Sequence, residues 1–262
     1  MDKNRTRIVV TGAAGRMGTR ILSLASADSR FHIMAGVEMP SHEAVGRFTD
    51  DGKAPIVGDI REVLTKTEVV IDFTAPEAVL KTASIVAKGR RGLVVGTTGL
   101  KTQGVAQLKA LSRKIPIVFS PNMSVGMNVL FRLVEQAVKA MAGSDIEIIE
   151  AHHNLKKDAP SGSAMRLADI AAASSRRSPK DFVYGREGLV GARTKKEIGI
   201  LAVRAGDIVG DHTVLISHAG ERLELTHRAH SRDALAAGAL EAARWVAGKR
   251  PGFYSMFDVL NI

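Results

Sequence analysis

Short apolar runs alternate with amphipathic stretches in the first half of the chain. The runs are continuous, as in RIVVT at 7–11 and EVVIDF at 68–73. Continuous Val- and Ile-rich runs are typical of strands buried on both faces, and helices between them indicate βαβ units in a parallel sheet. Strands are predicted at 7–11, 32–38, 68–73, 92–95 and 115–119, with helices at 16–27, 76–88 and 102–113.

The pattern changes near residue 124. A long amphipathic helix is predicted at 125–141, and strict alternation of polar and apolar residues begins at Asp145. Alternating strands joined by short Gly/Asp turns predict a mixed or antiparallel sheet. Further strands are predicted at 145–153, 198–204, 213–218 and 222–227, with helices at 161–173 and 233–247. The last helix is expected to pack back on the first half.

Composition is that of an ordinary globular protein. The chain has 262 residues, of which 45% are apolar and 24% charged. Because there is no cysteine, disulfides, iron–sulfur clusters, thiolate zinc sites and a cysteine nucleophile are excluded. No apolar run approaches the ~18 residues of a membrane span. The charged start at residues 1–5 contains no apolar signal region, so a cytoplasmic protein without a membrane partner is expected.

The net charge of +10 suits nucleic acid, an anionic membrane or small anionic ligands. Aromatic residues make up only 4%, which argues against a stacking surface for single strands. A DNA-binding regulator would need a basic recognition helix, but Arg132 and Lys139 are the only basic residues of the 125–141 helix. We therefore expect no nucleic-acid partner. The basic segment 176–196 is expected to be a long solvated loop.

A glycine-rich turn follows the first predicted strand and opens the first helix. The sequence GAAGRMG at 12–18, called the glycine turn below, has the spacing G-x-x-G-x-x-G. Glycine permits close backbone approach, and the N–H groups of a helix start bind pyrophosphate. Glu38, twenty residues beyond Gly18, lies where an acid binds the adenosine ribose. The alternative is a tight turn with an incidental acid. The fold class predicted is α/β, with an N-terminal Rossmann domain.

The residue after Glu38 bears on the choice of cofactor. A 2′-phosphate is normally met there by Arg or Lys, whereas this chain has Met39 and Pro40. Arg16 is the nearest basic candidate, so NADH or dual use is favoured over strict NADPH specificity.

The turns at 96–99 and 120–124 also follow predicted strands, where open α/β sheets bind ligands. Alternatively, Thr98 or Ser124 simply caps the next helix.

The densest polar segment runs from Glu147 to Ala164. It contains His152 and His153, with Lys156 and Lys157 four residues after each, and a predicted helix start at 160–163. A histidine can deliver a proton, while a lysine and a helix start can hold carboxylates. These groups predict a site for an acidic small molecule. Adjacent histidines point to opposite faces of a strand and no H-E-x-x-H motif is present, so metal binding is not expected.

These motifs resemble those of the 4-hydroxy-tetrahydrodipicolinate reductases, also called dihydrodipicolinate reductases, of lysine and diaminopimelate synthesis. The resemblance covers nearly the whole chain, and the segment EIIEAHHNLKKDAPSGSA at 147–164 is its most specific part. The other matching segments are GAAGRMG (12–18), IDFTAPEA (71–78), VVGTTG (94–99), SPNMSVGMN (120–128), RAGDIVGDHTV (204–214) and GERLELTHRAHSR (220–232).

The resemblance implies a Rossmann dinucleotide-binding domain at 1–123 and 234–262. It also implies an α+β substrate-binding and oligomerisation domain with a mixed sheet at 124–233. It implies NADH or NADPH as cofactor, a small dicarboxylate substrate and a homotetramer. His152 matches the proton donor and Lys156 the catalytic lysine. The matching substrate contacts are His153, Gly162 and Ser163. The matching cofactor contacts are Gly12, Ala13, Ala14, Gly15, Arg16, Met17, Glu38, Gly96, Thr97, Thr98, Ser120, Pro121, Asn122 and Met123.

Two positions depart from the family pattern. Ser163 stands where threonine is usual, which keeps the hydroxyl, and Met39 stands where several members carry arginine. The same-class alternative is another Rossmann reductase that acts on a different amino-acid precursor.

Overall fold

The computed structural model describes residues 5–262; residues 1–4, part of the charged start noted above, lie outside the described residues. The chain divides into two compact units. Unit 1 combines the chain up to Val125 with the C-terminal Arg232–Ile262, and unit 2 is Gly126–Ser231.

Unit 1 is built on a parallel sheet of seven strands in the order β12-β6-β5-β4-β1-β2-β3. The strand order reverses beside β1, whose neighbours are β2 and β4. Its strands are β1 (Thr6–Thr11), β2 (Phe31–Val37), β3 (Ile56–Val57), β4 (Val69–Asp72), β5 (Gly92–Val95), β6 (Pro116–Phe119) and β12 (Gly252–Tyr254). Its helices are α1 (Arg16–Ala27), α2 (Pro76–Lys88), α3 (Thr102–Leu111), α6 (Asp233–Val246) and α7 (Met256–Leu260).

Both faces of this sheet are covered. Val10 packs in a cluster with residues of α1 and α6, whereas its neighbour Val9 packs in a second cluster with α2 and α3. Successive strand residues point to opposite faces, so a strand with helices on both sides needs apolar residues at every position. This explains the continuous apolar runs of the sequence. The helix predicted at 233–247, α6, packs with the first half as expected.

Unit 2 carries a mixed sheet of five strands in the order β11-β10-β7-β9-β8. The pairs β10–β11 and β10–β7 are antiparallel, while β7–β9 and β8–β9 are parallel. Its elements are α4 (Val125–Ala140), β7 (Asp145–His152), α5 (Gly162–Ser174), β8 (Phe182–Tyr184), β9 (Ile198–Arg204), β10 (Gly210–His218) and β11 (Glu221–Ala229).

Helix α5 packs on one face of this sheet, against β7, β9 and β10. Ile146, Ile148 and Val214 are buried. On the opposite face, Ile149 and Val203 remain 38% and 44% exposed. One buried and one exposed face account for the alternation in the sequence.

The predicted α/β class and the mixed second sheet are confirmed. The short elements β3, β12 and α7 and the 3₁₀ turns Ile60–Glu62, Leu64–Lys66 and Pro179–Asp181 were not predicted. The expectation of a solvated loop at 176–196 holds for part of the segment. Residues 185–196 lie outside helices and strands and are mostly exposed, but the segment also contains β8, which pairs with β9. Its Arg186 and Arg193 both bond to Glu147. Within residues 5–262, none of the helices is long and apolar enough to cross a membrane.

Candidate active site

The glycine turn lies between β1 and α1 and is shaped by positions that exclude a side chain. Gly12 has φ +71°, in the left-handed region that favours glycine. A Cβ at Gly18 would lie 2.0 Å from the Gly12 carbonyl oxygen, so the helix approaches the turn too closely for alanine. Gly15 is the N-cap of α1 and supplies no capping side chain. The turn therefore offers backbone at a helix start, which fits a pyrophosphate.

Glu38 directly follows β2, as the spacing predicted. Its Oε1 accepts a hydrogen bond from the Ala14 N–H of the glycine turn at 2.9 Å. The acid and the turn are thus adjacent, and the arrangement fits a dinucleotide with its ribose at Glu38. Met39 is 67% exposed, and Arg16 is also exposed.

A cavity of about 500 Å³ beside the glycine turn contains a basic residue that the sequence reasoning missed. Ala13, Ala14 and Arg47 line it, together with Asp50 and Asp51. Arg47 lies 3.8 Å from Glu43 in an exposed pair, which is worth little. Arg47 therefore lines the same cavity as Ala14 and is held only by a weak exposed pair. It lies nine residues after Glu38, so no motif spacing pointed to it.

A buried carboxylate joins the next two turns of unit 1. Asp72 ends β4 and is fully buried. Its Oδ1 accepts hydrogen bonds from the Thr74 N–H at 3.0 Å and hydroxyl at 2.7 Å, and from the Thr97 hydroxyl at 3.1 Å. A Cβ at Gly12 would lie 3.2 Å from the Thr74 methyl group. The predicted contacts at 12–17 and 96–98 are therefore brought to one edge of the sheet.

The fourth predicted cofactor segment, 120–123, follows β6. The Ser120 hydroxyl donates to the Asn122 carbonyl at 2.6 Å, and the Asn122 side-chain oxygen accepts the Ser124 N–H at 2.9 Å. Met123 is buried, whereas Pro121 is exposed. Ser124 directly precedes α4, so a helix-capping role stays an alternative for it.

In unit 2, His152 is the last residue of β7 and its side chain is 11% exposed. Its Nδ1 lies 2.6 Å from Glu150 Oε2. The other ring nitrogen, Nε2, faces Gly210, where an added Cβ would lie 3.0 Å away. Because a carboxylate only accepts hydrogen bonds, Nδ1 carries a proton and Nε2 is the atom left for chemistry.

The residues after β7 form a turn and then the start of α5. Lys156 donates to both carboxylate oxygens of Asp158, at 2.8 and 2.9 Å. Ser161 caps α5 by accepting the Ala164 N–H at 3.2 Å, and its own N–H donates to Glu150 Oε1 at 3.0 Å. Of the other predicted substrate contacts, His153 and Ser163 are half-buried and Gly162 is exposed. A cis peptide bond links Ala159 and Pro160.

Glu150 is the centre of this cluster. It is fully buried and accepts hydrogen bonds from His152, the Ser161 N–H and both terminal nitrogens of Arg204, the latter at 2.8 Å each. Burial opposes its ionisation, but the bonds from Arg204 and His152 hold the Glu150 pKa below its usual range. We call Glu150, His152, Ser161 and Arg204 the Glu150 cluster.

A second histidine, His212, packs edge to face against His152 of the cluster. His212 has its ring centroid 5.3 Å from that of His152 and its Nε2 3.1 Å from the Ser161 hydroxyl. Burial lowers the pKa of His212 to about 4, so it is neutral at pH 7. Burial also lowers the pKa of His152, although Glu150 opposes this shift. His152 is therefore mostly neutral in the free protein at pH 7.

Sequence reasoning missed four contributors: the buried Asp72, Glu150 and His212 and the partly buried Arg204. Glu150 lay inside the predicted segment but received no role. His212 could have been found from the alternation of 210, 212 and 214 on the covered face of β10. Arg204 meets Glu150 only through strand pairing and carried no local signal. Asp72 bonds locally to Thr74, two residues on, but its bond to Thr97 depends on the neighbouring strand.

A parallel sheet with a glycine turn and an acid at the end of β2 defines a class, the dinucleotide-binding α/β enzymes. Two family models match the chain, "Dihydrodipicolinate reductase, N-terminus" over residues 6–123 and "Dihydrodipicolinate reductase, C-terminus" over 126–260. The chain therefore belongs to the dihydrodipicolinate reductase family. It is an oxidoreductase that depends on a pyridine nucleotide.

Relatives of similar length support this assignment. A 4-hydroxy-tetrahydrodipicolinate reductase of Aquifex aeolicus is 47% identical over 98% of this chain and 99% of its own length. That of Anaeromyxobacter dehalogenans (strain 2CP-1) is 46% identical over 98% of both. The fold is that of the dipicolinate-bound dihydrodipicolinate reductase from Paenisporosarcina sp. TG-14, with a TM-score of 0.80 and 22% identity over 97% of this chain and 98% of that one. Among residues 5–262, no group of His, Cys, Asp and Glu is arranged to hold a metal ion.

Proposed function

We propose that this protein reduces 4-hydroxy-tetrahydrodipicolinate to tetrahydrodipicolinate in lysine and diaminopimelate synthesis. The reaction consumes the substrate, NAD(P)H and one proton and yields the product, NAD(P)⁺ and water. The names of relatives at 44–47% identity support this substrate. The observation that carries the proposal is the fold of residues 150–163, in which Glu150 joins His152 to the anion-binding start of α5.

Unit 1 is the proposed cofactor domain. The glycine turn would hold the pyrophosphate and Glu38 the adenosine ribose, while the turns at 96–98 and 120–123 would contact the remainder. When bound, NAD(P)H supplies a hydride to the substrate ring. Because no basic residue directly follows Glu38, we propose that the protein uses NADH, or both NADH and NADPH. The positive net charge suits both an anionic cofactor and an anionic substrate.

Unit 2 is the proposed substrate domain, with His152 as the proton donor. Its Nε2 is left free by the bond from Nδ1 to Glu150. The imidazole is mostly neutral in the free protein at pH 7, but a substrate with two carboxylates favours its protonated form. A proton is thus expected to arrive together with the substrate. Lys156, His153, Gly162 and Ser163 are proposed to hold the dianion, and Lys156 also to assist protonation.

We further propose a cytoplasmic homotetramer formed through unit 2. The support is the apolar, half-exposed sheet face at Ile149 and Val203, since exposed apolar patches mark association sites. Sedimentation equilibrium tests the oligomer. A tetramer is expected, and a monomer at micromolar concentration would contradict it.

The activity is tested by NADH and NADPH oxidation with freshly generated substrate from the preceding enzymatic condensation. Substrate-dependent oxidation of either cofactor is expected, and its absence for a protein that binds NADH would contradict the proposed function. The alternative, a reductase for another amino-acid precursor, predicts no oxidation here. The alternative of a DNA-binding regulator is tested by the salt dependence of binding to random duplex DNA. It predicts that the binding constant falls steeply as the salt concentration rises.

A further inference from the structure

Glu150 is the most completely buried charge next to the proposed proton donor. None of its surface is exposed, and it accepts hydrogen bonds from three different segments: β7 itself, the start of α5 and the end of β9. A buried carboxylate is costly unless it is paired and bonded. Packing alone does not require a charge here, since an apolar residue of similar size often stabilises such a position as well.

We propose that Glu150 is a positioning residue for the reaction, and that it holds the proton donor and the substrate-binding helix start in one geometry. It fixes the tautomer and direction of His152 and, through the Ser161 N–H, the first turn of α5. This inference rests on the proposed function, because it assumes that His152 delivers a proton and that α5 binds a carboxylate.

The first half of the argument concerns His152. The Nδ1–H to Glu150 bond at 2.6 Å leaves Nε2 as the only ring nitrogen that can take up and release the transferred proton. Nε2 lies beside Gly210, where any side chain would crowd it. Glu150 therefore selects both the nitrogen and the direction in which the proton leaves.

The second half concerns α5. The other carboxylate oxygen accepts the Ser161 N–H at 3.0 Å, and Ser161 caps the helix whose next two residues are Gly162 and Ser163. Arg204 binds both oxygens of Glu150 and also the Asp158 carbonyl at 2.7 Å. The turn that carries Lys156 is thereby tied to the same carboxylate.

The charges around His152 give the proposal a measurable signature. Within residues 5–262, Glu150 is the one acidic group that bonds to the imidazole. Arg204 and Lys156 both disfavour the protonated form of His152, and His212 packs against it. Asp158 lies beyond Lys156 and neutralises part of its charge. Without the Glu150 charge, the remaining neighbours are neutral or positive. Protonation of His152 then requires a lower pH.

The matched control is on the same strand. Glu147 lies three residues before Glu150, is also bound by two arginines, Arg186 and Arg193, and projects to the opposite face of the sheet, away from His152. Glu147→Gln and Glu150→Gln therefore remove the same charge from similar pairs. Each is compared with wild type for kcat, KM, the NADH dissociation constant and oligomeric state.

Glu150→Gln is expected to lower kcat roughly ten- to a hundredfold. This decrease is smaller than the one expected when general acid catalysis is lost completely. The alkaline limb of its kcat/KM profile is expected to move to lower pH by about one unit or more. Glu147→Gln should keep wild-type values, and NADH binding should be unchanged in both. In a His152→Gln background, Glu150→Gln should have little additional effect on kcat, because it acts through His152.

Several outcomes separate the claims. If His152→Gln is as active as wild type, the proposed role of His152 fails. Two results would overturn the role of Glu150 alone, provided that His152→Gln is impaired. One is an alkaline limb of Glu150→Gln at the wild-type pH. The other is a loss of kcat in the double variant equal to the losses of the two single variants combined. Should Glu150→Gln fail to fold, ¹⁵N NMR of the wild-type histidines tests which ring nitrogen of His152 carries the proton. A neutral His152 protonated on Nδ1 is expected, and one protonated on Nε2 would overturn the proposal.

Discussion

The two candidate sites, one in each unit, differ in the groups that form them. The glycine turn of unit 1 is made of backbone, and its shape depends on missing side chains at Gly12 and Gly18. The Glu150 cluster of unit 2 is made of buried side chains that bond to one carboxylate. A backbone site tolerates changes in side-chain chemistry but not added volume. A side-chain cluster tolerates neither a lost charge nor a lost donor.

The largest effect on cofactor binding is expected where volume is added to the glycine turn. Gly18→Ala places a Cβ against the Gly12 carbonyl, so the turn must open, and such overpacking costs about 1–3 kcal/mol. If this cost falls on the cofactor-binding conformation, the NADH dissociation constant rises roughly 5- to 150-fold. Fluorescence titration measures it. Gly248→Ala, where an added Cβ meets nothing within 4 Å, is the control and should bind normally. Normal binding by Gly18→Ala would contradict the backbone account.

Loss of the lysine in unit 2 is expected to affect the substrate and not the cofactor. Lys156→Ala removes a charge-assisted contact worth about 1.5–3 kcal/mol, so kcat should fall and substrate KM should rise by roughly tenfold or more. NADH binding should not change. Pyridine-2,6-dicarboxylate, a planar substrate mimic, provides a direct binding assay. Wild-type affinity of the variant for this mimic would show that Lys156 does not contact a carboxylate.

The preference for NADH over NADPH tests the roles proposed for the side chains of Glu38 and Met39 in unit 1. Glu38 repels a 2′-phosphate and Met39 cannot offset that repulsion, so wild type is expected to favour NADH by about tenfold. Met39→Arg should narrow or reverse the preference in the ratio of KM values. Arg47 lines the cavity beside Ala14, and Arg47→Ala should weaken NADPH alone. An outright wild-type preference for NADPH that Arg47→Ala leaves intact would contradict this account.

The smallest effect is expected at the buried carboxylate of unit 1. Thr97→Val removes one hydrogen bond to Asp72, worth about 0.5–1.5 kcal/mol, so the NADH dissociation constant should rise by roughly two- to tenfold. Thr97→Ser keeps the hydroxyl and should restore most of the affinity. Equal losses in both variants would indicate that the methyl group matters and not the bond to Asp72.

The two regions also differ in how far the sequence predicts them. The glycine turn and Glu38 are local patterns with a fixed spacing, so their positions could be predicted and the structure brings them together. Arg204 reaches Glu150 across 54 residues because β9 pairs in parallel with β7, with His152 opposite Arg204. No local pattern records that pairing.

The departures from the loop expected at 176–196 have the same cause. Its arginines form ion pairs with Glu147 on β7, 39 and 46 residues away, and β8 consists of three residues. The basic composition predicted solvated side chains, but Arg186 and Arg193 pair with Glu147 instead. The short strand β3 and the C-terminal α7 were missed because two to five residues carry too little periodicity.

The central claim is that His152 supplies the proton in the reduction. The most direct test measures kcat and the NADH dissociation constant of His152→Gln on the same preparation. Loss of a general acid lowers kcat by roughly 10²–10⁴-fold, and the account predicts such a loss with near-normal NADH binding, because the change lies in unit 2. A variant that retains near wild-type kcat would contradict the claim.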